Sequence, residues 1–299
     1  DASCVKGDCP SFITVSPGRD VGLRRPVPPV LEATDLESPA PMSPGWDTYS
    51  VHIIGIGGTG VVTVAHILGF AALFDGLHVN QLNRTGLAQK GGPVESPVVF
   101  GESVTPLSNT IPAGGCDLYL TADLFGAVNP VNLSVTCEDR TVVVASRSVI
   151  PTAEMVYGPG RSSTDPSEME TVINAHTRSE ENIFLDAQAY VEELFGNHIV
   201  SNIFLLGAAY QAGTLPLEAE SIEKAIALNG QAVSMNIQAF RWGRMAVADP
   251  IRLDAVLNPD PVGVEEMCAK KRGVAAAHSR KSASCFDDAM ARVPVQEEE

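Results

Sequence analysis

The chain has 299 residues, long enough for one large domain or two ordinary ones with a sizeable core. Hydrophobic residues make up 44% and charged residues 19%, a globular α/β profile that excludes an intrinsically disordered chain. Acids outnumber bases 36 to 20, a net of −16, which speaks against a nucleic-acid partner, and six cysteines are too few for a disulfide scaffold.

The chain opens at Asp1 without an initiator Met or a secretory leader, so a piece of a longer cytoplasmic protein is expected. Residues 1–15 carry Cys4 and Cys9 in the string Cys-Val-Lys-Gly-Asp-Cys-Pro. Residues 16–49 are rich in proline, which fixes φ and removes donors, and read as a linker. Residues 50–247 read as one compact domain and residues 248–299 as an irregular or truncated tail.

Within the domain, Val51–Ile54 is a short apolar run ending in glycines, a buried strand. Gly60–Phe74 has the length of a helix and is apolar all round, which predicts cover on both faces. The stretch from Ile53 to Phe74 contains no Asp, Glu, Lys or Arg, but its glycines suit a strand, turn and buried helix better than a membrane span. Strands are predicted at 77–82, 117–121, 141–145 and 182–185. Asp186 is placed to cap a helix whose apolar spacing runs from Ala187 to Phe195 and which Gly196 closes. Further helices are expected at 199–210, from about Pro216 to Gly230, and beyond Gly230 along Val233, Ile237 and Phe240. Strands alternating with helices predict a doubly wound, mainly parallel α/β sheet, Rossmann-like, with helices on both faces.

Gly55-Ile-Gly57-Gly58-Thr59-Gly60 has the G-x-G-x-x-G spacing between a strand and a helix. Such a turn lets a phosphate approach backbone N–H groups at a helix N-terminus, or simply lets strand and helix pack closely. An NAD fold wants an acid at the end of the second strand; the string Val79-Asn80-Gln81-Leu82-Asn83-Arg84 has none, although Arg84 would suit a 2′-phosphate. A second cluster, Thr85-Gly86-Leu87-Ala88-Gln89-Lys90-Gly91-Gly92, offers backbone donors, a hydroxyl, an amide and an ammonium to an anion.

These two clusters together resemble the gamma (third-domain) unit of 2-oxoacid:ferredoxin oxidoreductases, in the indolepyruvate branch. The resemblance extends through Asn202-Ile-Phe-Leu-Leu-Gly207, Leu215-Pro-Leu217, Ala225–Gly230 and Asn236-Ile-Gln-Ala-Phe240-Arg-Trp242-Gly243-Arg244, covering about residues 50–247. The opening Ser3–Phe12 resembles the end of the thiamine-binding half, in the order of the long single-chain form. It implies oxidative decarboxylation of an arylpyruvate such as indolepyruvate. Thiamine diphosphate with Mg²⁺ would be bound by the missing half, iron–sulfur clusters would carry electrons, coenzyme A would take the acyl group, and ferredoxin would accept the electrons.

Under this resemblance the partners are the thiamine-binding half, ferredoxin, the arylpyruvate and CoA, with a homo-oligomer expected and neither nucleic acid nor membrane involved. Gly55, Gly57, Gly58, Thr59, Gly60, Thr85, Gly86, Gln89, Lys90, Gly91 and Gly92 are the candidate cofactor-binding residues. Cys4 and Cys9 are candidate cluster ligands whose companions would lie upstream. Two features depart from the family pattern: Ser96-Pro97-Val98-Val99 stands where relatives read Ser-His-hydrophobic-Arg, and Asn83 stands where an acid is expected. Pro97 predicts an edge strand or a bulge. His66 reads as a satisfied core residue, Cys116 and Cys137 as buried hydrophobes, while Cys268 and Cys285 suggest nothing. The alternatives are a stand-alone NADP- or adenylate-binding Rossmann-type protein, or an assembly module that uses the glycine turn for packing.

Overall fold

A computed structural model describes residues 28–40, 47–85, 93–102, 108–148 and 165–258. The strands are β1 (Thr48–Ile56), β2 (His78–Gln81), β3 (Arg84–Thr85), β4 (Pro93–Gly101), β5 (Leu118–Thr121), β6 (Val142–Ser146) and β7 (Ile183–Leu185). They form one sheet in the order β2-β4-β1-β5-β6-β7, with β3 beside β4. β1, β5, β6 and β7 are parallel, and their apolar, β-branched runs suit strands covered on both faces. β4 runs antiparallel between β1 and β2. The doubly wound α/β fold is therefore the one expected, with the strand that carries Pro97 inserted into the sheet rather than at its edge.

That insertion corrects the expectation for Pro97. The proline lies opposite His52 in a strand flanked on both sides, neither at an edge nor in a bulge. Gln81↔Val98 and Arg84↔Glu95 share one register, so β2 and β3 are two parts of one strand interrupted at Leu82 and Asn83. Leu82 N–H donates to Pro97 O at 3.2 Å, so the missing proline donor also faces this gap. Ser96 Oγ bridges the gap by donating to Asn83 Oδ1 at 2.9 Å. Asn83 thus keeps an acceptor role without being an acid.

The helices are α1 (Val61–Phe74), α2 (Leu124–Ala127), α3 (Pro130–Leu133), α4 (Pro166–Asn174), α5 (Ala187–Phe195), α6 (Ser201–Gln211), α7 (Ala219–Asn229) and α8 (Val233–Ala248). On one face of the sheet Ile54, Tyr119, Val143 and Ala145 pack with Leu124, Leu133, Met169 and Ile173 from α2, α3 and α4. The other face carries α1 and α6, with α7 and α8 packed on them. Asp186 caps α5 by accepting from Ala189 N–H, and Gly196 and Gly230 end α5 and α7 with φ of 66° and 72°. α1 departs from expectation: Phe70, Leu73 and Phe74 are 45–56% exposed, and His66 is exposed rather than in the core. Its outer face finds no cover among the described residues of this unit.

α6 and α8 cross with their backbones in contact. A Cβ on Gly207 would lie 2.0 Å from Phe240 O, and one on Gly243 1.9 Å from Phe204 O. Glycine is required at both places because any side chain would push the helices apart. Residues 28–40, part of the proline-rich stretch, lie along this helix pair with Leu31 buried. Leu31 exchanges two hydrogen bonds with the Gln238 amide, and Trp242 Nε1 donates to Pro29 O. Arg244, buried over the Tyr210 ring, donates to Gln211 Oε1 and Glu37 O. Burial holds its guanidinium pKa below the ordinary value.

Residues 249–258 are the described part of a second unit, which begins at Asp249. In it Asp249 caps a short helix, α9 (Pro250–Leu257), within the stretch expected to be irregular. No described helix is long and apolar enough to cross a membrane.

Candidate functional site

β1 ends at Ile56 and the glycine turn leads directly into α1. A Cβ on Gly55 would meet Val61 at 2.7 Å, so this glycine serves close packing. Gly58 and Gly60 serve another purpose. Their φ values of 95° and 93° fall where side chains are strained, and nothing lies within 4 Å of a Cβ built on Gly58. Gly60 begins α1 without a side-chain cap, and the first intrahelical donor is Val64 N–H. The N–H groups before it are available to an external acceptor.

The turn is held from two sides. Thr59 Oγ1 donates to Ile56 O at 2.7 Å, and Asn202 Nδ2, from the start of α6, donates to Thr59 O at 2.6 Å. Asn202 is buried and its Oδ1 has no partner among the described residues. Part of the Asn202–Gly207 string therefore serves to fix the glycine turn.

Beside Gly58 and Thr59 lies a small cleft of about 60 Å³, lined also by Ala122, Ser146, Ser148, His198 and Ser201. It sits at the C-terminal ends of β1, β5 and β6. β1 continues through α1 toward β2, and β5 continues toward β6 on the other side, so this is the topological switch point where such folds bind ligands. Ser146 Oγ donates to Ser148 Oγ at 2.9 Å, and Ser148 Oγ to Asp186 Oδ1 at 3.3 Å. Glu138, Asp139, Glu180 and Glu181, with Arg178 paired to Glu181, line a depression at the opposite end of the sheet. Ser146, Ser148, His198 and Ser201 were missed in the sequence. The signal for the first two was there, hydroxyls just past an apolar strand.

Thr85 and Gly55 are both in register with Val94, one on each side of β4. They are two strand spacings apart, roughly 10 Å. The segment from β3 to β4 thus leaves the sheet at the same end as the glycine turn. Gly86, Gln89, Lys90, Gly91 and Gly92 lie outside the described residues, as do Cys4 and Cys9. β4 also puts the end of β2 one strand farther from the glycine turn than a dinucleotide fold requires, and Arg84 pairs with Glu95 at 3.7 Å. This geometry does not favour the NADP reading.

Among the described residues, no group of three or more His, Cys, Asp or Glu is placed to hold a metal ion. Cys116 is fully buried, its Sγ directed at Leu118 O, and burial pushes its thiol pKa well above the usual value. Cys137 is partly exposed, contrary to its reading as a buried hydrophobe. The described residues therefore do not fit a thiamine–Mg²⁺ anchor or a cluster.

His52, in the middle of β1, packs on the Tyr119 ring with its Nδ1 unpartnered. Burial and the nearby Arg84 charge lower its pKa to about 4. It is a neutral, structural imidazole.

The sheet order, the glycine turn and the cleft at the switch point define the class: a doubly wound α/β fold modified by an inserted antiparallel strand. The chain belongs to the pyruvate ferredoxin/flavodoxin oxidoreductase family, which residues 50–246 match. It is 30% identical over 209 residues to indolepyruvate oxidoreductase subunit IorB of Pyrococcus horikoshii, covering 69% of this chain and 98% of the relative. The corresponding Thermococcus kodakarensis subunit is 28% identical over 207 residues, with coverages of 69% and 98%. The 2-oxoglutarate:ferredoxin oxidoreductase of Magnetococcus marinus shares the fold, with a TM-score of 0.50 at 13% identity over 68% of this chain and 31% of that one.

Proposed function

We propose that this chain is the gamma component of a cytoplasmic enzyme that oxidatively decarboxylates an arylpyruvate of the indolepyruvate type to its acyl-CoA, with ferredoxin as acceptor. The observation that carries this reading is the match to nearly the whole length of a subunit named for indolepyruvate oxidation. Thiamine diphosphate, bound with Mg²⁺ in the partner half, supplies the carbanion chemistry. Cys4 and Cys9 are assigned to an iron–sulfur cluster completed by residues upstream.

The role of this chain's own residues is to hold and orient. The free N–H groups at Gly58, Gly60 and the first turn of α1 bind an anionic group of CoA. Gly57 and Thr59 shape that turn, and Thr85, Gln89 and Lys90 approach from the neighbouring segment, Lys90 supplying the positive charge. Gly86, Gly91 and Gly92 let that backbone come close. A charge-assisted contact of this kind is worth about 1.5–3 kcal/mol, roughly 10- to 150-fold in affinity.

The test is the complete enzyme carrying Lys90→Ala, assayed by indolepyruvate-dependent ferredoxin reduction. The KM for CoA should rise at least about 10-fold with little change in kcat. An unchanged KM for CoA removes Lys90 from the site, and tight NADPH binding by the chain on its own replaces the reading altogether.

A further inference from the structure

Residues 28–40 lie on the α6–α8 pair in the way a bound peptide would. Only Leu31 and Leu36 are buried, five residues apart, and the side chains around them are half-buried or exposed. Between these two anchors Ala33–Asp35 makes a single helical turn, held by Glu32 N–H on Asp35 Oδ2 at 2.8 Å.

The attachment runs through side chains of the domain. Trp242 Nε1 donates to Pro29 O, Gln238 Nε2 and Arg241 Nη1 to Leu31 O, and Gln211 Nε2 and Arg244 Nη2 to Glu37 O, at 2.7–3.2 Å. Leu31 N–H returns one bond to Gln238 Oε1 at 2.9 Å. Among the described residues, the segment's backbone–backbone hydrogen bonds are its own, Asp35 N–H to Glu32 O and Leu36 N–H to Ala33 O. Fixed donors that address backbone carbonyls, with pockets for two apolar anchors, are how grooves hold extended peptides. Pro28, Pro29 and Pro39 restrict the free segment, so less freedom is lost when it docks.

Charge favours the same match. Residues 28–40 carry Glu32, Asp35 and Glu37 and no Lys or Arg, in front of Arg241 and Arg244. Arg241, gripped by Glu223 through two hydrogen bonds of 2.8 Å, pairs with Glu32 at 3.5 Å. Groove and occupant also stand differently toward the family: Gln211 to Arg244 fall within the matched stretch 50–246, and residues 28–40 precede it.

We propose that residues 28–40 are a detachable clasp, a peptide ligand of the α6–α8 groove that joins residues 1–27 to the domain by non-covalent contact and not through a slack tether. The chain before Pro28 then starts from a fixed point beside Trp242.

A specific protease site placed within residues 41–46 of the full chain lets the covalent link be cut after folding. The severed N-terminal piece should stay with the domain through size exclusion, and a labelled peptide of residues 28–40 should displace it. Leu31→Glu in the peptide should weaken its binding about 30-fold or more, as loss of an anchor does, and Gln238→Ala in the domain about 10-fold. Val131→Glu, at an exposed residue of α3 on the other face of the sheet, should change neither. Hydrogen exchange on the uncut chain is the second readout: Leu31→Glu should speed exchange across residues 28–40 and leave β5 and β6 as slow as before. Loss of the severed piece on cutting overturns the proposal, as does a peptide indifferent to Leu31→Glu. Precipitation on cutting, or faster exchange throughout the domain in the Leu31→Glu chain, also overturns it, because the segment is then an inseparable part of the core.

Discussion

The α6–α8 crossing and the flank made by α1 and β2 start from similarly apolar sequence and are finished differently. In α6 every residue from Asn202 to Tyr210 is buried, and Gly207 brings the helix onto the α8 backbone. α1 also has a central glycine, Gly69, but it meets only the end of the Gln81 side chain, and the helix leaves Phe70, Leu73 and Phe74 in solvent. The strand partners differ in the same sense. β5 and β6 pair without interruption, whereas β2 and β3 are broken opposite Pro97. Apolar content in a helix therefore does not reveal whether its covering surface is in the same chain.

The largest expected effect attacks the closed side. Gly243→Ala places a methyl group 1.9 Å from a backbone carbonyl that cannot rotate away. It should destabilise the domain by about 3 kcal/mol or more, read as a lower denaturant midpoint; an effect below about 1 kcal/mol would mean the helices separate freely. A methyl group on Gly58, where nothing lies nearby, carries only the cost of the positive φ.

The second expectation concerns His52, buried in β1 opposite Pro97. His52 has a folded pKa of about 4 against 6.5 for an unperturbed imidazole. The unfolded chain binds this proton first as pH falls, so stability is lost between pH 6.5 and 4, by up to about 3 kcal/mol. Urea unfolding across that window should show the loss, and His52→Phe should flatten the slope. An identical slope in the variant would assign the acid sensitivity to other groups.

The smallest effect tests the joint between the two regions. Asn202→Ala removes the amide that holds Thr59 O and should cost about 1 kcal/mol. It should also speed hydrogen exchange at the glycine turn more than in β5 or β6. Uniform acceleration would indicate a general loss of stability instead.

Much of the fold was legible because its signals are local. The β-branched run at 141–145, the glycine closing α5 at Gly196 and the strand–glycine–helix pattern at 51–74 each depend on near neighbours. The strand β4 was not legible in the same way. Its glycine-rich approach, 86–92, resembles a binding loop as much as a hairpin connection, and both uses require the same residues. The cleft was half legible. Gly58 and Thr59 announce themselves by spacing, but Ser146, Ser148, His198 and Ser201 come from elements far apart in sequence, and no local pattern gathers them.

From its sequence alone this protein was committed to alternating strands and helices and to a left-handed glycine turn, because backbone propensity and φ preference act over a few residues. Tertiary structure alone decided that an antiparallel strand stands between β1 and β2, that Gly207 and Gly243 each meet the opposite helix's backbone at a crossing, and that Phe70, Leu73 and Phe74 of α1 stay exposed. Those outcomes depend on which distant segments come into contact, and chain connectivity does not encode that locally.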